Sequence, residues 1–209
     1  MTDVKGSRRQ ASARETRRAV LAGAAELFVE RGFTATTIDD VAARAGVSRP
    51  TVFAVGSKAE LLRLARDVTM AGDDEQLAVS QRESAQRVLS EPDPRTCVEL
   101  LALHVTGVQE RYGPLDEVLR QAAGVDAELA DLWRASEAQR RQGAMLFVDA
   151  LASKTGLRHQ REDAIDVLWL LMAPDQHQRL VRRRGWSRRR YLHWLTETIT
   201  DLLLLTPPA

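Results

Sequence analysis

The sequence predicts an all-α protein, and three observations support that fold class. Apolar residues recur three and four positions apart along most of the chain, which is the spacing of one face of an α-helix. No segment alternates apolar and polar residues as a half-buried strand does. Gly and Pro punctuate the periodic segments, where they end helices. We therefore expect a small amino-terminal group of helices followed by a larger helical body.

The segment 36–53 predicts two short helices joined by a glycine turn. Thr37 can cap the first helix, and Asp40 suits the positive end of its dipole. Gly46 stands where that helix must stop, because glycine adopts the left-handed conformation without strain. Ser48 can cap the next helix, with Pro50 in its first turn. This is the organisation of a helix-turn-helix, whose second helix enters the DNA major groove, although an ordinary helical hairpin has the same local signals.

The flanking segments add a helix on each side of this pair. An amphipathic helix precedes it and should end at Gly32, with Phe33 packing back on it. Ser57 and Glu60 have the spacing of a capping box for a fourth helix. Lys58 lies in the first turn of that helix, where a cation is unfavourable for the dipole. A DNA phosphate at this helix end would resolve the conflict.

Residues 14–66 resemble the DNA-binding domain of the tetracycline-repressor-like (TetR) family of bacterial transcriptional regulators. The matching residues are Ala24, Leu27, Phe28, Gly32, Phe33, Thr36, Thr37, Ile38, Val41, Ala42, Ala45, Gly46, Val47, Ser48, Thr51, Val52, Phe53, Ser57, Lys58 and Leu61. Two features depart from the family pattern. The family usually has Tyr where Phe53 stands, and the segment 54–56 is one residue short. The resemblance therefore supports the motif but leaves the contacts at 54–56 open.

The motif assigns DNA contacts to eight residues. We expect Thr36, Thr37 and Lys58 to bind phosphates and so to fix the register on the duplex. Arg49 and Thr51 should reach base edges, since Arg pairs well with guanine. The remaining candidates lie at the groove wall or the DNA backbone, and they are Ser48, Pro50 and Phe53.

The charge distribution agrees with a DNA-binding amino-terminal domain. Residues 1–66 contain 12 Lys and Arg against 7 Asp and Glu, whereas residues 67–209 contain 18 against 22. A net charge of +1 argues against a protein that coats DNA without sequence preference. We divide the chain into a flexible basic arm at 1–13, a helix-turn-helix domain at 14–57, and a helical ligand-binding and dimerisation domain at 58–209.

The location expected for the chain is the bacterial cytoplasm, partly through the family resemblance. No apolar stretch approaches the roughly 20 residues of a membrane helix, and the start lacks the hydrophobic segment of a secretory signal. Cys97 is the single cysteine, which excludes an internal disulfide and agrees with a reducing compartment. We interpret it as a small buried hydrophobe, with a redox switch as the weaker alternative.

The body reads as a series of helices. The predicted ranges are 58–70 with a stop near Gly72, 81–89, 95–111 ended by Gly113-Pro114, 115–123, 127–151, 161–172, 177–183 and 188–205. The acidic residues at 73–75 are interpreted as solvated rather than as a cation site, because their spacing is wrong for an EF-hand. The arginine runs 182–184 and 188–190 are interpreted as a solvated loop, with a second nucleic-acid site as the alternative.

The last two long segments are apolar on more than one side, so they have more than one surface to bury. One surface can pack within the chain, and the other fits an identical chain across a two-fold axis. The resemblance implies the same homodimer, and a thick monomer core is the alternative. The candidate interface residues are Trp169, Leu170, Trp194, Leu195, Ile199, Leu202 and Leu203.

The resemblance also implies that a small effector held in the body controls DNA binding, with the fourth helix joining the two domains. We expect no cofactor and no metal, and an apolar or amphipathic effector. The candidate pocket residues are His104, Tyr112, Trp133, Phe147, Trp169, Met172 and His177. For each of them plain packing is the competing interpretation.

The rival classes have weaker sequence support. An enzyme would need a catalytic cluster, but the four His residues lack metal-ligand spacing, and neither a nucleophile elbow nor a phosphate-binding glycine loop occurs. A helical adaptor without DNA binding would show no sequence-selective interaction with DNA. The sequence therefore favours a DNA-binding regulator that acts on double-stranded DNA and not on a membrane.

Overall fold

The computed structural model describes residues 3–71 and 81–205, and the chain is helical over most of both ranges. The helices are α1 (Asp3–Ala35), α2 (Ile38–Ala45), α3 (Arg49–Val55), α4 (Lys58–Ala71), α5 (Glu83–Ser90), α6 (Pro94–Ala122), α7 (Ala127–Ala152), α8 (Arg161–Leu171), α9 (Pro174–His177) and α10 (Arg188–Leu203), with a π-helical segment at Gln178–Arg183 between α9 and α10. Within the described ranges extended pairing is limited to an isolated bridge between Leu157 and Leu204. The predicted all-α class is confirmed.

The first compact unit comprises Met1–Thr69 and Leu115–Trp133. Its centre is built from apolar side chains of α1 to α4 that are fully or almost fully buried, namely Val20, Ala24, Leu27, Phe28, Val41, Val52, Leu61 and Leu62. Gly32 interrupts α1 with φ 79° and ψ 169°, a conformation reserved for glycine. The interruption returns Phe33 to the core side, where its ring stacks on Phe28 at a centroid distance of 5.8 Å.

The helix ends around α2 and α3 follow the predicted caps. The Thr37 hydroxyl accepts a hydrogen bond from the Asp40 backbone N–H, and the Asp40 carboxylate accepts one from the Thr37 N–H, which completes a capping box. Gly46 has φ 66° and ψ 31°, the left-handed conformation that ends α2. Ser48 caps α3 by accepting from the Thr51 N–H. These local signals fix where the two helices begin and end.

The second compact unit comprises Met70–Pro114 and Arg134–Ala209. Its core is formed by α5, the first part of α6, the last part of α7, α8 and α10, and includes Val98, Leu101, Val148, Leu151, Ile165, Leu168, Tyr191, Leu195, Ile199 and Leu203. A buried polar group ties three of its elements together. The Gln109 amide donates to the carbonyls of Leu171 and Ala173, and its oxygen accepts from the Tyr191 hydroxyl at 2.8 Å.

Two predicted boundaries in the body were wrong. Gly113-Pro114 does not end a helix, because α6 runs from Pro94 to Ala122 with Pro114 inside it. A proline inside a helix removes one N–H bond and strains the preceding turn, yet α6 continues through Pro114. The second change is at 174–183, where α9 and the π-helical turn replace the single helix predicted at 177–183.

Some sequence-based expectations fall at or beyond the limits of the described residues. The predicted stop at Gly72 and the acidic residues 73–75 lie outside them, as do residues 1 and 2 and residues 206–209. α1 begins at Asp3, within the segment that we assigned to an arm. No helix within the described ranges is both long enough and apolar enough to span a membrane.

Candidate nucleic-acid interface

The recognition-helix candidate α3 is anchored by one buried side and presents the other to solvent. Val52 is fully buried, whereas Arg49, Pro50 and Phe53 are exposed. Phe53 keeps 52% of its surface accessible, which is unusual for a large aromatic side chain. The exposed surface of α3 therefore combines a cation, an aromatic ring and a proline in the first turn of a capped helix.

Arg49 is held by two neighbours rather than extending freely into solvent. Its Nη1 lies 3.3 Å from Oδ2 of Asp39, a residue in the first turn of α2. Its Cζ lies 5.5 Å from the centroid of the Phe53 ring, one helical turn further along α3. The guanidinium remains accessible, since 59% of the side chain is exposed.

The small hydroxyl residues of the motif are accessible but already form local hydrogen bonds. Ser48 Oγ and Thr51 Oγ1 lie 2.8 Å apart, which orients both hydroxyls at the start of α3. The Thr37 hydroxyl is exposed and lies 2.6 Å from Asp40 Oδ2. The hydrogen bonds from Thr37, aided by Arg31, hold the pKa of Asp40 below its ordinary value. Each hydroxyl retains acceptor capacity for a second partner.

Thr36 does not have the role that we predicted. Its side chain is fully buried, and its hydroxyl donates toward the carbonyls of Gly32 at 2.8 Å and Leu27 at 3.2 Å. Both carbonyls belong to the last part of α1, near the interruption at Gly32. Thr36 is therefore a structural residue of the α1–α2 junction, and the prediction that its side chain binds phosphate was wrong.

Lys58 is also engaged by the protein itself. Its Nζ donates to the carbonyl oxygens of Phe33 at 3.0 Å and Thr36 at 3.2 Å. The same ammonium lies 4.4 Å from the centroid of the Phe33 ring. A cation at the carboxyl end of α1 interacts favourably with that helix dipole, which offsets its unfavourable place at the start of α4. In this structure its hydrogen atoms face carbonyls rather than a site for the predicted phosphate.

An ion-pair cluster between α1 and α2 was not anticipated from the sequence. Arg44 Nη2 lies 2.8 Å from the Glu30 carboxylate, and Nη1 lies 2.8 Å from Glu26. The stem of Arg44 passes over Gly23, where an added Cβ would lie 3.0 Å from Arg44 Cγ. Glycine at position 23 thus permits the close approach that orients α2, a signal visible only once the two helices are paired.

The seven pocket candidates are divided between the two units. Trp133 belongs to the first unit, whereas the other six belong to the second. Within the second unit, the His104 ring meets Phe147 edge to face at 5.5 Å, and Met172 approaches Gly143. Trp169 lies under Arg140, whose Cζ is 5.1 Å from the ring centroid.

Burial disfavours the charged form of the two buried histidines of the second unit. Burial lowers the pKa of His104 to about 4, with Arg111 contributing in the same direction, and Nδ1 lies 3.0 Å from the Ser84 hydroxyl. His177 is 4% exposed and packs edge to face on Tyr191. Burial lowers its pKa as well, opposed by Glu110. Both ring nitrogens of His177 lack a hydrogen-bond partner among the described residues.

The seven interface candidates divide into an inner and an outer group. Leu195, Ile199 and Leu203 are fully buried in the core of their own unit, so assigning them to a dimer interface was wrong. Periodicity showed that α10 is apolar but not which of its faces the chain itself covers. The outer group consists of Leu170 and Leu202, which are exposed, and Trp169 and Trp194, which are half-buried.

Other groups with reactive or charged side chains take part in ordinary packing. The Cys97 thiol is buried 3.3 Å from the Val88 carbonyl, and burial raises its pKa. In the arginine runs, Arg188 pairs with Glu110 at 2.9 Å and Arg190 stacks on Trp186 at 4.0 Å. No group of three potential metal ligands occurs in the part of the chain that the structure describes.

A capped helix, a left-handed glycine and a second capped helix with an exposed polar face define a helix-turn-helix DNA-binding protein. Residues 20–65 match the family of bacterial regulatory proteins of the tetR type. The matched segment contains the whole motif, and it is similar to the DNA-binding domain of that family, as its residues indicated. No curated protein sequence matches it significantly.

Solved structures have a fold similar to that of most of the chain. The repressor NalD of the MexAB-OprM multidrug efflux pump in Pseudomonas aeruginosa is 23% identical, with a TM-score of 0.69 over 93% of this chain and 98% of NalD. A transcriptional regulator from Saccharomonospora viridis, in complex with choline, is 19% identical, with a TM-score of 0.69 over 92% of this chain and 99% of its own. SmeT, in complex with triclosan, is 17% identical, with a TM-score of 0.62 over 93% of this chain and 96% of SmeT.

Proposed function

We propose that this regulator is a ligand-responsive repressor that binds a palindromic operator as a homodimer. The observation that carries the proposal is the arrangement of α3, in which buried Val52 fixes the helix while Arg49 and Phe53 face solvent. A helix whose buried side is fixed in the core can present the same side chains to every duplex. The chemistry of those side chains suits a major groove rather than a catalytic reaction.

Sequence reading is assigned to Arg49 and Thr51. The Arg49 guanidinium can donate to O6 and N7 of guanine, and a bidentate contact of this kind is worth about 1–3 kcal/mol of discrimination. Thr51, Ser48 and Pro50 lie at the amino-terminal end of α3, where recognition helices contact bases and groove walls. Thr37, exposed at the start of α2, is assigned to a phosphate, to which its hydroxyl would donate in place of Asp40 Oδ2.

A homodimer would supply the second recognition helix that a palindrome requires. Two such helices spaced by one turn of DNA, about 34 Å, read two half-sites. The outer apolar group on α8 and α10 gives this interface a candidate surface, with Leu170 and Leu202 at its exposed positions. The inner leucines of α10 contribute indirectly by holding that helix in its own unit.

Effector control is supported by the two structural neighbours that hold choline and triclosan. In this chain the apolar surroundings of His104, Phe147, Met172 and Trp169 suit an apolar or amphipathic molecule. An effector that binds one conformation more tightly shifts the population toward it and so changes operator affinity. We propose that α4, which links the motif covalently to the body, transmits the effector-induced change to the motif.

The test of the DNA-binding proposal is selection from duplexes with a random core, followed by anisotropy titrations. The purified chain should enrich an inverted repeat, and the enriched duplex should bind far more tightly than a shuffled duplex of equal length. Arg49→Ala should reduce the ratio of these two affinities more than it reduces binding to the shuffled duplex. An adaptor or an enzyme without a DNA role would enrich no sequence.

The effector proposal has its own measurement. Native mass spectrometry of the protein as purified should reveal a carried small molecule, or addition of triclosan or choline should release the enriched duplex. A true effector also stabilises the state that it binds, in proportion to its concentration over its dissociation constant. Release of duplex without any thermal stabilisation of the free protein would contradict binding to the body.

A further inference from the structure

Asp39 is an exposed carboxylate beside Arg49, to which we assign a base contact, and an acidic residue so close to DNA would be electrostatically unfavourable. It belongs to the first turn of α2, and its side chain is 67% exposed. We propose that Asp39 is a positioning residue that, together with Phe53, holds Arg49 ready to read a base and lowers the affinity for DNA of unrelated sequence. This inference rests on the proposed function and specifies how its recognition helix obtains selectivity.

The geometry restrains the guanidinium from two elements at once. The Asp39 carboxylate approaches Nη1 at 3.3 Å from α2, and the Phe53 ring faces Cζ at 5.5 Å from the next turn of α3. The neighbouring carboxylate Asp40 is not available for this role. It is engaged by Thr37 in the capping box and by Arg31 at 3.1 Å. Asp39 is therefore the carboxylate that acts on Arg49 across the turn.

The donor inventory of arginine leaves room for a base. A guanidinium has five N–H groups, and the contact with Asp39 engages Nη1. The edge formed by Nε and Nη2 has no hydrogen-bond partner among the described residues, and two parallel donors on one edge match the two acceptors of guanine. A long side chain loses rotamer freedom when it binds, so prior restraint by Asp39 and Phe53 reduces the entropy cost of the specific contact.

The same carboxylate works against non-specific binding. Unrelated DNA is bound mainly through phosphates, and each phosphate contact made by a cation releases counterions. The Asp39 carboxylate offsets much of the positive charge of Arg49 and repels a nearby phosphate, so the ion pair attracts the DNA backbone less than a lone guanidinium would. A surface ion pair contributes little to folding, so the expected effect falls on DNA selectivity rather than on stability.

The experiment is a double-mutant cycle of Asp39→Asn, Arg49→Ala and the double variant in the full-length chain. Affinities are measured for the duplex that the wild type enriches and for its shuffled counterpart, over a series of salt concentrations. Asp39→Asn should strengthen binding to the shuffled duplex and steepen its salt dependence by about one phosphate contact. The ratio of specific to shuffled affinity should fall by about tenfold.

The matched control removes a carboxylate that lies elsewhere. Glu99 is an exposed residue of α6, and Glu99→Gln changes the net charge by the same amount as Asp39→Asn. It should leave the affinity ratio unchanged. Phe53→Leu provides a second approach, because it removes the ring beneath Arg49 while keeping an apolar side chain. It should lower the ratio without steepening the salt dependence.

Three results would overturn the inference, and they have different meanings. If Asp39→Asn still lowers the ratio when Arg49 is already Ala, Asp39 reads a base itself and does not act through Arg49. If Asp39→Asn behaves like Glu99→Gln and Phe53→Leu leaves the ratio unchanged, neither residue positions the guanidinium. If the wild type enriches no sequence, the proposed function fails first and this inference fails with it.

Discussion

At the scale of single residues, the cations of the amino-terminal unit have two roles. Some bind groups of the fold itself, and others stay accessible to another molecule. Arg44 bridges Glu26 and Glu30, and Lys58 binds the carbonyls at the end of α1. Arg49 differs because its partners, Asp39 and Phe53, leave much of it accessible. The positive charge of this unit is thus not a measure of its DNA contacts.

Thr36→Val should lower the free energy of unfolding by about 1–2 kcal/mol, because it leaves the carbonyls of Leu27 and Gly32 without their donor. Urea titrations would measure the change. Thr34→Val is the matched control, since Thr34 is exposed and its replacement should stay within about 0.5 kcal/mol. A folded Thr36→Val protein with unchanged stability and weakened DNA binding would restore the phosphate role that we rejected.

At the scale of helices, backbone conformation decides where glycine is required. Gly46 has a positive φ of 66°, so Gly46→Ala should cost about 1–2 kcal/mol by forcing an alanine into the left-handed region. Gly107 lies inside α6, where an added Cβ meets only the tip of Arg111 at 3.4 Å. Gly107→Ala should therefore stabilise the protein by about 0.5–1 kcal/mol. Thermal melts of the two variants should shift in opposite directions, and a shift in the same direction would contradict this assignment.

The helix ends of the motif could be predicted from the sequence because each depends on its own neighbours. Thr37, Gly46 and Ser48 act through bonds within a few residues, and all three lie where the pattern placed them. The continuation of α6 through Pro114 could not be predicted in this way. Local signals mark Gly113-Pro114 as a helix end, and contacts with distant segments, which can override such signals, are not visible in a local pattern.

The roles of individual side chains were harder to predict than the helices. A threonine beside a helix start can bind a phosphate or a carbonyl, and only the burial of Thr36 distinguishes the two. Likewise, apolar residues on more than one side of α10 do not show which face the chain itself covers. The structure assigns Leu195 to the core and leaves Leu202 outside. Asp39 was missed because its partner Arg49 lies on another helix.

At the scale of the whole molecule, stability should depend on pH through the buried histidines of the second unit. The pKa of His104 is lowered by burial to about 4 in the folded chain, against about 6.5 when unfolded. The unfolded chain therefore binds more protons below pH 6.5, so stability is present above that pH and is lost as the pH falls toward 4. The pKa of His177 is also lowered by burial.

Between pH 7 and pH 4.5 this linkage should lower the unfolding free energy by about 2–3 kcal/mol through His104. Urea titrations at both pH values would measure it. His104→Asn should remove that part of the pH dependence, whereas His193→Asn, at an exposed position of α10, should leave it unchanged. An identical pH dependence in the wild type and His104→Asn would show that the imidazole can be protonated without unfolding the chain.

Assembly is the remaining property of the whole molecule, and the exposed leucines of α8 and α10 make it testable. Leu170 is 58% exposed and Leu202 is 39% exposed. A stable homodimer buries about 1,200–2,000 Å² of surface, so a charge introduced within that area should dissociate it. Leu170→Glu and Leu202→Glu should each shift the mass measured by light scattering from dimer toward monomer. Leu103→Glu, at a similarly exposed leucine of α6, should not.

Monomeric variants should lose affinity for the enriched duplex far more than for the shuffled one, because a single α3 reads only one half-site. A dimer unaffected by both substitutions would place the interface on another surface.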